Sequence, residues 1–186
     1  MTEPDTPIAL RTGNPPAPDG LCLLEAFLNT WSEELGIEDL ASAKATEAWL
    51  KGAGLWSGSK HLTKEQHQRI LTFRDSLRTW ILDAGASVPL DQATSKVTFH
   101  AQLQGGSDIQ FRPTGDAYQF LVGTLIQLIS SSQHNGTWTR FKCCELPSCG
   151  WAFYDSTRSR TRRWCSMKTC GSRHKAREYY KRKQLV

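Results

Sequence analysis

Five of the six cysteines in this 186-residue chain fall within one stretch near its C-terminal end, CCELPSC from Cys143 and CSMKTC from Cys165. The spacing is Cys144-x4-Cys149-x15-Cys165-x4-Cys170. Each pair lies at the upper end of the spacer found in structural zinc knuckles, and four thiolates complete the tetrahedral set of a Zn²⁺ ion. Soft sulfur ligands favour zinc, and an iron–sulfur cluster usually shows another spacing. Redox chemistry normally uses a close Cys-x-x-Cys beside a βαβ pattern, and neither occurs here. A complete set of four ligands leaves no open position for water or substrate, so the expected cofactor is one structural zinc. Cys143 adjoins Cys144, and only one of them is needed; the matched x4 knuckles favour Cys144. Along an incoming strand Phe141 and Cys143 face one way and Lys142 and Cys144 the other. Cys143 then reads as a small buried hydrophobe, as does Cys22 in the first helix. His174 is the alternative fourth ligand, in a set of three thiolates and one imidazole.

Whether clustered thiols bind metal or form disulfides depends on compartment. No apolar run approaches the roughly 20 residues of a membrane helix, and the start MTEPDTPIALRTGNPPAPDG lacks the basic and apolar regions of a signal peptide. The expectation is a cytoplasmic protein with reduced thiols and no membrane partner. Charge is distributed unevenly. Residues 1–136 carry 10 Lys and Arg against 15 Asp and Glu, a net −5, whereas residues 137–186 carry 13 against 3, a net +10. A strongly basic segment on an acidic body is the electrostatic footprint of a polyanion-binding surface, with a solvated basic helix as the plainer alternative.

The elements that must position these groups can be read from periodicity. Residues 1–20 are rich in Pro and Gly and read as a flexible tail. Leu24, Phe27, Leu28 and Trp31 mark a first helix from Leu21 to near Gly36. Ser42 caps a second helix that stops at Gly52 and Gly54. Thr63 and Gln66 form a capping box for a third, striped by Ile70, Phe73, Leu77, Trp80 and Ile81 and ending at Gly85. VTFHAQLQGGSDIQFRP alternates as a β-hairpin turning at Gly105 and Gly106, with Val97, Phe99, Ala101 and Leu103 on one face and Pro113 ending the return strand. A fourth helix spans about Asp116 to Ser130, with Phe120, Leu121, Leu125, Leu128 and Ile129 as its core face. The polar SSSQHNGTW places a domain boundary near Gly136, giving a 21–136 body and a 137–186 module.

That module is too short and too poor in aliphatics to fold on a core alone, and a structural zinc contributes roughly 10–16 kcal/mol. Trp151, Phe153, Trp164 and Tyr179 are expected to form an aromatic core around the metal. Ser166 caps a helix running to about Lys183, which carries Arg173, Arg177 and Lys181 on one face with Lys175 and Arg182 near it. Arg158, Arg160, Arg162 and Arg163 add four cations in the loop between the knuckles. Such arginines can bind phosphate or reach a guanine edge.

AFYDSTRSRTRRWCSMKTCGSRHKAREYYKRK resembles the CGNR zinc finger of bacterial regulators. The likeness covers Phe141 to Lys183 and rests on the paired knuckles, PheTyrAsp, ArgArgTrpCysSerMet and CysGly-x-Arg. It implies zinc ligands at Cys144, Cys149, Cys165 and Cys170; Ser172 stands where asparagine is usual in the family. Across Leu21 to Ser130, LCLLEAFLNT and AWLKGAGL make the body similar to the ABATE domain. The resemblance implies a stress-responsive transcription regulator whose finger binds DNA and whose body senses a signal.

The fold expected is α+β: a mainly helical N-terminal domain with a β-hairpin, then a four-cysteine zinc-finger module of knuckles, short hairpin and C-terminal helix. DNA is the expected partner; RNA binding and a protein-interaction module are the alternatives. Asn29 and Thr30 are candidates for a small-molecule pocket, with a structural role at the end of the first helix as their other reading. Arg74, Arg78 and His100 share that status, and a homo-oligomer is allowed. No Ser-His-Asp, P-loop or GxGxxG arrangement gives an enzymatic role a motif, so the chain is not expected to be an enzyme.

Overall fold

A computed structural model of the chain describes residues 15–58, 60–83, 88–104 and 108–184. The body contains α1 (Leu21–Leu28), a two-residue ribbon of β1 (Trp31–Ser32) and β2 (Ile37–Glu38), and α2 (Ala43–Gly52). It continues with α3 (Lys64–Leu82), α4 (Val88–Thr94), the hairpin β3 (Thr98–Gln104) and β4 (Asp108–Thr114), and α5 (Ala117–His134). A single 3-10 turn, Trp138–Arg140, leads into β5 (Phe141–Cys143), which pairs antiparallel with β6 (Ala152–Tyr154). A π turn, Met167–Gly171, then opens α6 (Ser172–Gln184). The fold is α+β, helical with three separate antiparallel ribbons among the described residues. No helix among the described residues is long and apolar enough to cross a membrane.

Local chemistry sets where the long helices begin. The Thr63 hydroxyl accepts from the Gln66 amide at 3.1 Å while the Gln66 side chain accepts from the Thr63 amide at 2.9 Å. Asp116 and Gln119 repeat this reciprocal arrangement at the start of α5. The Gln66 amide group also donates to Asp116, so the two caps hold the N-termini of α3 and α5 side by side. Each box satisfies donors that the first turn leaves without partners. The core forms where α1, α3 and α5 meet, with Leu24, Phe27, Leu28, Ile70, Phe73, Leu77, Leu121 and Leu125 all buried. Phe27 stacks on Phe73, and Phe73 meets Tyr118 edge-on. Each such side chain contributes about 1.5–3 kcal/mol of apolar burial.

Several expectations are corrected. The first helix stops at Leu28 rather than near Gly36, because Asn29 and Thr30 turn their side chains to other partners and Trp31 enters β1. Gly36, at φ 62°, serves the turn of that ribbon. Cys22 is exposed, not buried. Pro15–Gly20 is not a loose tail: Ala17 is buried and its amide donates to Glu25. The rest of the predicted tail, the stop at Gly85 and the Gly105–Gly106 turn lie outside the described residues. The short helix α4 has no stripe long enough to be read. The hairpin pairs in the register the alternation predicts, Phe99 opposite Pro113 and Leu103 opposite Ile109. Its apolar face is nevertheless exposed along most of its length. Only the base is seated, where Pro113 and Val97 press on Gly123 so closely that a Cβ there would lie 2.7 Å from the Pro113 ring.

Glu25, facing the core from α1, is buried. Burial raises its carboxyl to about 7, opposed in part by the hydrogen bond from Ala17. The folded state therefore binds more protons than the unfolded chain between about pH 4.5 and 7, and stability falls as pH rises through that window. Glu25→Gln keeps an acceptor for Ala17 and removes the ionisation. It is expected to be more stable than the parent at pH 8 by up to about 3 kcal/mol and near it at pH 4.5, as read from urea unfolding at both pH values. Equal losses at both would show that packing, not charge, governs the position.

Candidate metal centre

β5 delivers Cys144 and the turn after it delivers Cys149. The Cys144 amide donates to the Trp151 carbonyl at 2.8 Å, and the Cys149 amide donates to Leu146 at 2.8 Å. Gly150 closes this knuckle at φ 56°, a left-handed conformation that a side chain disfavours. The second knuckle carries Cys165 and Cys170 around the π turn, capped by Ser166 accepting from the Thr169 amide. The Glu145 amide donates to the Arg163 carbonyl and ties the two knuckles together.

All four sulfurs are buried and lie within 4.8 Å of one another. Cys149 and Cys165 are 3.7 Å apart, and Cys165 and Cys170 are 3.6 Å apart. A Zn–S bond of about 2.3 Å requires a tetrahedral edge of about 3.8 Å, so the donor set fits a zinc ion in both chemistry and spacing. Hydrogen bonds from the Cys149 and Cys165 thiols pull Cys144 down to about 2, while the contact with Cys144 pushes Cys149 up to about 12 and Cys165 upward too. Crowded thiols oppose one another's ionisation, and a divalent cation supplies the charge that lets several thiolates share the site. Cys143 points into the other core, and burial pushes its thiol up to about 12, which suits an inert hydrophobe. Leu146, Trp151 and Phe153 enclose the sulfurs, with Trp164 packed against them. Tyr179, expected in this core, is exposed on α6. His174 packs at a tilt against Trp164 instead of completing the sulfur cluster.

Asp155 organises the arginine loop. Its buried carboxylate accepts from Lys142 Nζ at 2.9 Å, from the Arg162 amide at 2.9 Å, and from the Thr157 amide and hydroxyl. Burial alone would raise its pKa, but these hydrogen bonds outweigh it and hold the carboxyl well below the usual range. Lys142 also donates to the Arg160 and Arg162 carbonyls. Sequence reading used Asp155 only as a motif letter, since a lone Asp in a basic loop gives no sign of four local donors.

The nine predicted cationic residues divide by role. Arg162 lies over Phe153 and donates to the Cys165 carbonyl, Arg163 pairs with Glu145, and Arg173 pairs with Glu34 of the body. Lys181 and Arg182 turn back to Glu178. Arg158, Arg160, Lys175 and Arg177 are exposed and form no ion pair among the described residues. Lys168, on the π turn, is a further exposed cation that the sequence reading did not single out. α6 has no buried residue; it stands out from the metal centre as a solvated rod.

The finger is not a separate bead. Phe141, Cys143 and Ala152 belong to the core of the body, and Trp138 stacks between Trp80 and Phe141. The Asn29 side chain exchanges two hydrogen bonds with the Ala152 backbone, at 2.8 and 3.0 Å, as a third strand would. The Thr30 hydroxyl donates to Phe27 and accepts from Arg74, which also makes a two-point pair with Glu38. Buried Arg78 donates to Gly150 and Leu28 and lies over the Trp31 ring. Arg74 and Arg78 line an open cleft of about 760 Å³ between body and finger, whereas His100 sits apart on the exposed hairpin.

Residues 21–122 match the family model ABATE, described as "Putative stress-induced transcription regulator". The chain belongs to the ABATE family. Residues 140–183 match the CGNR zinc finger, which makes the four-cysteine centre a structural zinc site. No curated protein matches the chain. In this ABATE protein the first match ends within α5 and the second begins at the entry to β5.

One zinc per chain is expected, lost on Ser substitution of Cys144, Cys149, Cys165 or Cys170 and kept in Cys143→Ser, as measured by elemental analysis of purified protein. Asp155→Asn leaves Lys142 without its carboxylate and is expected to cost about 3 kcal/mol at pH 7. Because the folded carboxyl lies below its unfolded value, that contribution is present above about pH 4 and lost as pH falls. The gap between parent and variant should therefore narrow in acid denaturation.

Proposed function

We infer that this chain is a DNA-binding transcription regulator in which zinc holds a basic helix and an arginine loop in a fixed relation to the body. The observation that carries this reading is α6: a 13-residue helix with no buried side chain, rich in Lys and Arg, rooted in the metal centre. A helix that contributes nothing to a core has its chemistry on the outside, and here that chemistry is phosphate-binding. Arg173, Arg177 and Lys181 repeat every fourth residue, so they run along one side of the rod. Arg158 and Arg160 extend the cationic surface from the loop that Asp155 orders. Five of the nine cations considered are engaged within the chain; the ones left to meet a polyanion are Arg158, Arg160, Lys175 and Arg177, with Lys168 beside them. The family description as a stress-induced regulator agrees with this reading.

The full chain is the right material, because the finger shares its core with the body. Binding to duplex DNA should weaken steeply with salt. Replacing Arg158, Arg160, Lys175 and Arg177 by Ala should flatten the slope of log K against log salt by about 3 to 4 while leaving zinc content intact. Undiminished binding by that variant, or no binding at low salt by the parent, would overturn the reading. Displacement by single-stranded or hairpin RNA in preference to duplex DNA would move the target to RNA.

A further inference from the structure

We propose that the β3–β4 hairpin is a homodimerisation surface, its apolar face docking on the same face of a second copy about a two-fold axis. Phe99, Ala101, Leu103, Ile109, Phe111 and Pro113 occupy one face of the ribbon, as the pairing register requires. Beyond the base seated on Gly123, that face is open: Leu103 is 81%, Phe111 56%, Ile109 53% and Phe99 39% exposed. The ribbon is anchored on α5 at its base, and the four large apolar side chains left uncovered beyond it form the kind of contiguous patch that marks an interaction surface.

The chemistry of the face identifies the partner. None of its six residues carries a charge, which disfavours nucleic acid or a strongly charged protein and makes the face compatible with a copy of itself. Small and large residues alternate on it: Ala101, the smallest, stands opposite Phe111 and between Phe99 and Leu103 along its strand, so a two-fold copy is expected to find a dip there. In an antiparallel two-fold arrangement the aliphatic pair Leu103 and Ile109 of one copy meets the dip and the aromatic pair Phe99 and Phe111 of the other, and the same contacts recur in reverse. The exposed parts of these four side chains amount to roughly 500 Å². Two copies would bury about 1,000 Å², the lower bound for a specific interface, so the dimer is expected in the micromolar range rather than as an obligate pair. The polar face, with Thr98 bonded to Thr114 and His100 opposite Arg112, remains in water.

Sedimentation equilibrium of the zinc-loaded full chain, without DNA, tests this independently of the nucleic-acid reading. The parent should pass from 20.9 kDa to twice that mass with increasing concentration. Leu103→Lys and Ile109→Lys, both at exposed positions, should each raise the dissociation constant at least tenfold with unchanged zinc content and thermal midpoint; His100→Asp on the opposite face should not. A parent that stays monomeric to about 1 mM would leave the face to another occupant and overturn the proposal. So would a dimer indifferent to Leu103→Lys and Ile109→Lys, or chains that lengthen without closing at two.

Discussion

Four sulfurs crowded into one buried volume form the interaction on which the rest of this molecule depends. Thiolates at less than 4 Å repel, and the thiols resist ionising together, so the cluster becomes a stable node only around a divalent cation. Everything C-terminal to β5 is attached to that node. β6 returns from the first knuckle, the arginine loop spans between knuckles, and α6 grows directly from the turn that holds Cys170. Very little aliphatic surface would otherwise hold these pieces together.

The node also supports the body. Phe141, Cys143 and Ala152 close the core built by α1 and α3, and Asn29 and Arg78 reach from the helical side to bond the backbone of the first knuckle and of β6. Arg78 is buried and its charge is disfavoured by desolvation, which its hydrogen bonds to Gly150 and Leu28 and its ion pair with Asp75 offset in part. Arg74 occupies the same cleft with its charge secured, since the two-point pair with Glu38 outweighs burial. Metal, finger and body thus form one connected structure in which the acidic and basic halves of the sequence are mechanically continuous.

Much of this was legible from residue types. Cysteine spacing is a local pattern tied to a fixed ligand geometry, and it pointed to the same four sulfurs that converge. Capping residues and apolar stripes located α2, α3 and α5 because these signals act within a few residues. Apolar spacing overextends the first helix because Trp31 continues its period, while the residue that stops it, Asn29, finds its partner at Ala152, 123 positions away. The hairpin shows the opposite limit: alternation specifies a strand with one apolar face but not what covers that face. Asp155 carries no sequence signal of its role because its strength comes from four donors gathered by the fold. Asn29 and Thr30, open as pocket residues on sequence grounds, carry contacts that join helix to finger.

The bareness of α6 has a mechanical side. Thirteen residues make a rod about 20 Å long, rooted in a π turn whose buried residues are Cys170 and Gly171. A tilt of about 10° at that root displaces the far end by roughly 3.5 Å, more than twice the rise per residue of the helix itself. Small adjustments in how the second knuckle sits, transmitted from the Arg173–Glu34 contact or from the loop tied to Asp155, are therefore magnified at the tip. The direction of the helix is thus set at its root, about 20 Å from its free end.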